Sequence, residues 1–311
     1  MHGSAGSVKR RPNRSSGFTL MEAVVVIAVL GIISAGLAFF IRTPVQGYID
    51  AESRARLSDN AETAFRRIGR DLQSALPNSV RVSNVGGVFY LEFLQTRTGG
   101  RYRVAPDESV APQVPTGANT CPETNANGLA DEDTMAFGVP DTCFRSIGAV
   151  PISPTFGPVV PNSDFLVIYN LGSGFTNADA YASGAITGGN KSLIFAFAAS
   201  ASNENRFRFE ANTFALESPG ARFHIVSGPV SYVCDPVAGV IQRYSNYAIA
   251  AAQPQPPGGG ANLMAQNVSA CTITYNAANQ RIGVVSMWLQ LSDSSGARVN
   301  LFQEVQVNNS P

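Results

Sequence analysis

Glu22 is the residue whose setting most needs a chemical explanation. It is the one charged side chain in the 24 residues 18–41, FTLMEAVVVIAVLGIISAGLAFFI. A carboxylate in a lipid-embedded helix costs up to about 2.5–3.5 kcal/mol at the bilayer centre and less toward the interface, so it calls for a cation or a task. Four cysteines, Cys121, Cys143, Cys234 and Cys271, could form disulfides. Four thiols permit three pairings, and proximity in sequence favours Cys121 with Cys143 and Cys234 with Cys271; free structural thiols are the alternative. No two of them have the spacing of a zinc clip. Glu123, Asn125, Asn127 and Asp131 carry oxygen donors at alternating positions with Gly128 sixth, the pattern of a calcium loop. Thr134 stands where the bidentate carboxylate of such a loop is expected, so a solvated acidic loop is the plainer reading. No metal and no cofactor are expected.

Catalytic chemistry finds little to work with. Of the two histidines, His2 precedes the apolar run and only His224 follows it. A nucleophile-histidine centre would have to use His224, and nothing near it reads as a nucleophile elbow. No GxxxxGK phosphate loop is present. The chain holds 22 basic and 22 acidic residues, a formal charge of zero, so no bulk field draws it to nucleic acid. The expectation is a protein that is not an enzyme.

The elements that position Glu22 follow from the same stretch. At 1.5 Å per residue, a helix of this length crosses a hydrocarbon core of about 30 Å. Lys9, Arg10, Arg11 and Arg14 precede Gly17 with no acidic residue among them. They set residues 1–17 as a cytoplasmic leader, 18–41 as a spanning helix, and everything beyond as exported, by the positive-inside rule. Taking those four from 22 leaves 18 basic against 22 acidic residues, so the exported part is mildly acidic. A cleaved secretory signal, with its shorter apolar core of roughly 7–15 residues, and a plain uncleaved anchor are the competing readings. Four cysteines beyond the helix suit an oxidising compartment.

Gly17-Phe18-Thr19-Leu20-Met21-Glu22 behind a basic leader resembles the processing site of type IV prepilins and type II secretion pseudopilins. That resemblance implies cleavage between Gly17 and Phe18 by a prepilin peptidase, N-methylation of Phe18, and an apolar helix that stays on the mature chain. It further implies that the new amine pairs with Glu22 when subunits assemble. The physical logic stands on its own: an ammonium and a carboxylate, each costly alone in an apolar bundle, offset much of both penalties as a pair. Snorkelling of Glu22 to the headgroups is the alternative.

A narrower resemblance, to minor pilin-like proteins of the mannose-sensitive haemagglutinin (MSHA) pilus system, rests on residues 41–48, IRTPVQGY, and on RRIGRDL at 66–72 continuing through ALPNSVR at 75–81. DTCFR at 141–145 and GPVSYVCD at 228–235 carry it into the C-terminal part. It implies partners among other pilins, residence in the inner membrane with the head in the periplasm, and incorporation in a pilus or its tip. A type II secretion minor pseudopilin shares the same anchor. From another class, a surface-binding module, adhesive or DNA-binding, could ride on it.

Past the membrane the helix continues as an amphipathic segment, residues 42–76, with Pro44 as a possible kink. Its stripe is Ala61, Phe65, Ile68, Leu72, Ala75 and Leu76, and Glu62 with Arg66 is set for a pair one turn apart. Residues 77–311 form a β-rich head with strands expected at 79–85, 88–95, 101–104, 164–170, 191–198, 206–210, 222–227, 230–234, 240–244, 268–275, 282–291 and 299–307. Residues 106–161 and 251–262 read as loops. The fold class expected is α+β: a long N-terminal helix packed on a mainly antiparallel sheet, as in type IV pilins.

Overall fold

The computed structural model describes residues 17–105, 134–152, 157–182, 189–199, 204–277 and 282–311, with the backbone alone at 38–39, 41–44 and 198–199. The chain divides into two units, one ending at Ser53 and the other running Arg54–Pro311. A single helix, α1 (Leu20–Gln73), contributes to both.

Over Leu20–Leu37 α1 is apolar but for Glu22, and none of those residues is buried. The helix is unbroken through Pro44. In the second unit the pattern changes to one stripe. Leu57, Ala61, Ala64, Phe65, Ile68 and Leu72 are buried, while Arg66 and Glu62 stay on the wet face, 3.7 Å apart as an i,i+4 pair. The helix closes through tight turns, Ser74 and Ala75 donating to the carbonyls of Asp71 and Leu72. Leu76 then donates to the Leu94 carbonyl, which hands the chain to the sheet.

The strands are β1 (Arg81–Val85), β2 (Val88–Arg101), β3 (Asp141–Arg145), β4 (Phe165–Ile168), β5 (Lys191–Ala199), β6 (Asn205–Asn212), β7 (Arg222–Asp235), β8 (Val240–Ser245), β9 (Gly260–Gln266), β10 (Val268–Asn276), β11 (Ile282–Ser292) and β12 (Arg298–Asn308). The strand pairs are antiparallel throughout, and the fold is α+β. Nine strands form one sheet in the order β1-β2-β7-β4-β5-β6-β3, with β8 and β9 branching from β7; β10-β11-β12 form a second. Along one edge β7 pairs with β2; along the other it pairs with β4 at residues 223–226 and with β8 at 231–235. The change of partner falls at Gly228, whose φ of 128° suits glycine, and at Pro229, which has no N–H to leave unpaired there.

Two larger cores result. The stripe of α1 packs with Leu91, Phe93, Val230 and Tyr232 of the large sheet and with Val285, Met287 and Leu289 of the small one. Beyond the fork, a phenylalanine-rich core forms among β3 to β7, with Phe144 stacked on Phe207 at 5.0 Å and edge-on to Phe223 at 4.9 Å.

Four expectations need correction. The stretch 106–161 is not loop throughout, because β3 lies within it and pairs with β6; its five residues are too few to show alternation. The stretch 251–262 gives way to β9 at Gly260, a strand of low intrinsic propensity that forms because it pairs along β8. The strand expected at 88–95 runs on to Arg101 as β2, its ladder absorbing Thr96 and Arg97 through register shifts, and the strand expected at 101–104 does not form: beyond Arg101, Tyr102 and Arg103 make only isolated bridges. Those expected at 222–227 and 230–234 are one strand, β7.

Candidate functional site

Gly17, Phe18 and Thr19 are exposed, non-helical residues ahead of α1. The peptide bond between Gly17 and Phe18 therefore lies in accessible backbone rather than within a helical turn. Helix α1 starts where it does because Thr19 caps it. The Thr19 hydroxyl accepts the Glu22 amide at 3.3 Å, and the Thr19 carbonyl accepts the Ala23 amide at 3.1 Å. Thr19-Leu20-Met21-Glu22 is thus a capping-box spacing, which places Glu22 in the first turn, where the helix dipole favours an anion. The Thr19 role was missed from sequence, although the T-x-x-E spacing is its signal.

Phe18 is 83 % exposed, and Glu22 is exposed with no ion-pair partner among the described residues. Around it Leu20, Val24, Ile27 and Ile32 are each more than half exposed. An 18-residue stretch of this length and composition can cross a bilayer and presents its side chains to whatever surrounds it. A carboxylate at the head of such a surface is placed to receive one cation, and a freed α-amine at Phe18 would lie one residue ahead of the cap.

The other residues singled out by sequence lie elsewhere. The sulfur atoms of Cys234 and Cys271 are bonded, joining β7 to β10 and so one sheet to the other inside the first core. Cys143 is buried in β3 and is also in a disulfide. Cys121, Glu123, Asn125, Asn127 and Asp131 lie outside the described residues. Among the described residues no group of three or more His, Cys, Asp and Glu side chains could hold a metal ion. His224 sits in mid-strand in β7, opposite Gly99 of β2 and Val167 of β4. Burial, helped by the nearby Arg222 charge, pushes its pKa down to about 4.

Two ionic latches that were not read from sequence hold α1 and β1 to the sheet. Asp71 accepts the Arg243 Nε–H at 2.8 Å and the Tyr232 hydroxyl at 2.7 Å. Burial and the Asp71 charge together hold the Tyr232 hydroxyl far above its ordinary pKa; burial opposes the Arg243 charge, but Asp71 more than restores it. Glu92, wholly buried, accepts from Arg81, Ser231 and Tyr247, and the Arg81 guanidinium lies 3.7 Å from the centre of the Tyr181 ring. Asp71 and Arg243 are 172 residues apart in the chain, and local spacing carries no trace of such a pair.

Residues 12–38 match the family model of the prokaryotic N-terminal methylation motif. No curated protein and no solved structure matches the chain. The motif indicates a type IV pilin-like or pseudopilin protein and implies processing by a prepilin peptidase and assembly with other pilins. Together with the exposed apolar helix it fits membrane-anchored pilus assembly.

Proposed function

We propose that this chain is a minor type IV pilin of the MSHA type, cut between Gly17 and Phe18, N-methylated on Phe18, and built into a pilus or its tip complex through α1. Before assembly the helix rests in the inner membrane with the head in the periplasm. The observation that carries this reading is one carboxylate, Glu22, in the first turn of the exposed apolar stretch that opens α1 and five residues behind the glycine of a methylation motif. Resemblance to the MshO protein of the MSHA system, in segments from both ends of the chain, supports the narrower assignment.

The role of each residue follows from its chemistry. Gly17 leaves the scissile bond without a side chain on its N-terminal flank, and Thr19 fixes the first helical residue. The methylated Phe18 ammonium is the cation Glu22 awaits. Pairing the amine of one subunit with Glu22 of its neighbour offsets two desolvation costs at once and sets their axial stagger. The head acts as a structural and recognition element, and catalysis has no part in this account.

Replacing Glu22 with alanine tests it. The variant is expected to be cleaved and inserted in the membrane normally, while its amount in sheared surface fibres falls at least tenfold, by immunoblot of both fractions. Unchanged incorporation would exclude the role given to Glu22.

A further inference from the structure

Strand β12 closes one side of the small sheet and pairs with β11 alone, so its other edge has no strand beside it among the described residues. At 11 residues it is longer than the other edge strands β1, β3, β9 and β10, which have 5, 5, 7 and 9. Such an edge offers a row of backbone N–H and C=O groups to any passing strand, and proteins blunt it by shortness, proline, bulges or charge. β12 lacks the first three. It contains no proline, its ladder to β11 runs from Arg298 to Asn308 without a register shift, and of its two charged side chains Glu304 is already engaged by the Ser286 hydroxyl at 3.1 Å. A long, regular edge in this condition calls for an occupant.

The groove beside that edge says what kind. With a volume of about 390 Å³, it runs between residues 303–306 of β12 and the face of α1 that carries Arg66, Gly69, Arg70 and Gln73. Gly69 keeps its floor low, because a Cβ there would stand 3.5 Å from both the Gln303 amide nitrogen and a Val305 methyl. Three steps along a strand cover about 10 Å and seven along a helix about 10.5 Å, so the groove accepts an extended segment of about four residues. The side chains of Gln73, Gln303 and Gln306 make no hydrogen bond with the described residues, and each can donate to and accept from a guest backbone. Arg70 has no ion-pair partner among the described residues, and Arg66 has only the exposed Glu62 at 3.7 Å. Two guanidiniums thus face one carboxylate, Glu304. Arg66 and Arg70 lie one helical turn apart, about 5–6 Å between Cβ atoms, and alternate residues of a strand lie about 6.5 Å apart on one face. Carboxylates at alternate positions of a strand match that spacing.

Charge also selects against two other occupants. Two-fold pairing of β12 with β12 of a second copy would bring the Arg66 and Arg70 side chains of both copies to one face of the joined sheet, where they repel. A nucleic acid would meet Glu304 and leave the backbone N–H groups and carbonyls of the edge without strand partners.

We propose that β12 is a docking edge that takes an extended acidic segment of another protein as an added strand, its backbone pairing with β12 and its alternate carboxylates meeting Arg66 and Arg70. The groove lies within the second unit, and the inference stands apart from the role given to Glu22.

Full-length protein in an uncharged detergent is the sample, and the probe is a fluorescein-labelled peptide of alternating threonine and glutamate, about ten residues long to match β12. Fluorescence anisotropy is expected to show saturable binding that weakens as salt is added. The same peptide with lysine for glutamate, or with every backbone nitrogen methylated, is expected to bind at least tenfold more weakly, the first for want of charge and the second for want of strand hydrogen bonds. Arg66→Gln combined with Arg70→Gln, both at exposed positions, is expected to weaken the glutamate peptide roughly tenfold with the melting temperature unchanged. Hydrogen exchange read by mass spectrometry is expected to slow in residues 298–308 when the peptide binds, with β1, β3 and β9 unaffected. The proposal is overturned by absence of binding, by equal binding of either modified peptide, or by wild-type binding in the double variant. It is equally overturned by tighter binding of an oligothymidylate of the same length, or by peptide-free protection of 298–308 that grows with protein concentration, the mark of a second copy.

Discussion

Residues 20–37 and residues 57–72 belong to one helix, yet their apolar side chains have opposite surroundings. Ile27 and Ile32 are 70 % and 74 % exposed, whereas Ile68 and Leu72 are each 1 % exposed. The first stretch is apolar on every face but for Glu22, and the second confines its apolar groups to one stripe opposed by Glu62, Arg66 and Arg70. A stripe can be satisfied by one sheet of the same chain. An all-round apolar surface that no described residue of the chain covers calls for lipid or other helices. The same amino-acid types thus serve stability in one half and association in the other, and substitutions should separate the two.

The largest contrast is expected from truncating matched positions. Phe65→Ala should remove about 3–5 kcal/mol from the stability of the head, followed by the fluorescence of its one tryptophan, Trp288, in denaturant. Ile27→Ala should leave that transition within about 0.5 kcal/mol of wild type. Opening the second disulfide-linked region sharpens the point, since Cys234 and Cys271 close a 37-residue loop behind the stripe. Their joint replacement by alanine should cost about 3–4 kcal/mol, again by denaturant unfolding.

Asp71→Ala comes next. It strands the Arg243 guanidinium and the Tyr232 hydroxyl against the packed half of α1, and should lower stability by about 3 kcal/mol, with Asp71→Asn intermediate. A double-mutant cycle with Arg243→Met measures the coupling.

The smallest effect is a pH dependence. His224 is neutral in the fold, with a pKa near 4 against about 6.5 in the unfolded chain. Above pH 6.5 both states are neutral and the residue contributes no slope. As pH falls from 6.5 toward 4 the unfolded state binds the proton first, so stability declines, by about 2 kcal/mol once partial exposure is allowed for. His224→Gln should flatten that limb of a pH series of melting temperatures.

How much of this was legible beforehand follows from the range of each interaction. The all-round apolar run, the stripe and the Glu62–Arg66 pair are local patterns with a helical period, and they were read directly. Strands β11 and β12 alternate cleanly because each buries one face, and they too were visible. Strand β7 was split in two because Gly228 and Pro229 are turn residues; the fork that tolerates them exists only in three dimensions. Strand β9, GANLMAQ, has few strand-forming side chains and owes its conformation to β8. The Asp71 latch joins residues more than 160 positions apart, and although Arg81 faces Glu92 across the β1–β2 hairpin, the Ser231 and Tyr247 hydroxyls that complete that latch come from far along the chain. At the N-terminal site the unusual setting of Glu22 was legible as one carboxylate in an apolar run, and the motif around it as a resemblance, while the cap made by Thr19 shares its residues with that motif and was overlooked.

In the proposed function the first stretch of α1 is kept, freed at its N-terminus and matched to Glu22. Intact-mass and N-terminal peptide mass spectrometry of the membrane-extracted protein addresses this directly. The expected result is a chain beginning at Phe18 and carrying one N-methyl group; a chain still beginning at Met1, or one cut beyond Ile41 with the apolar helix lost, would contradict it.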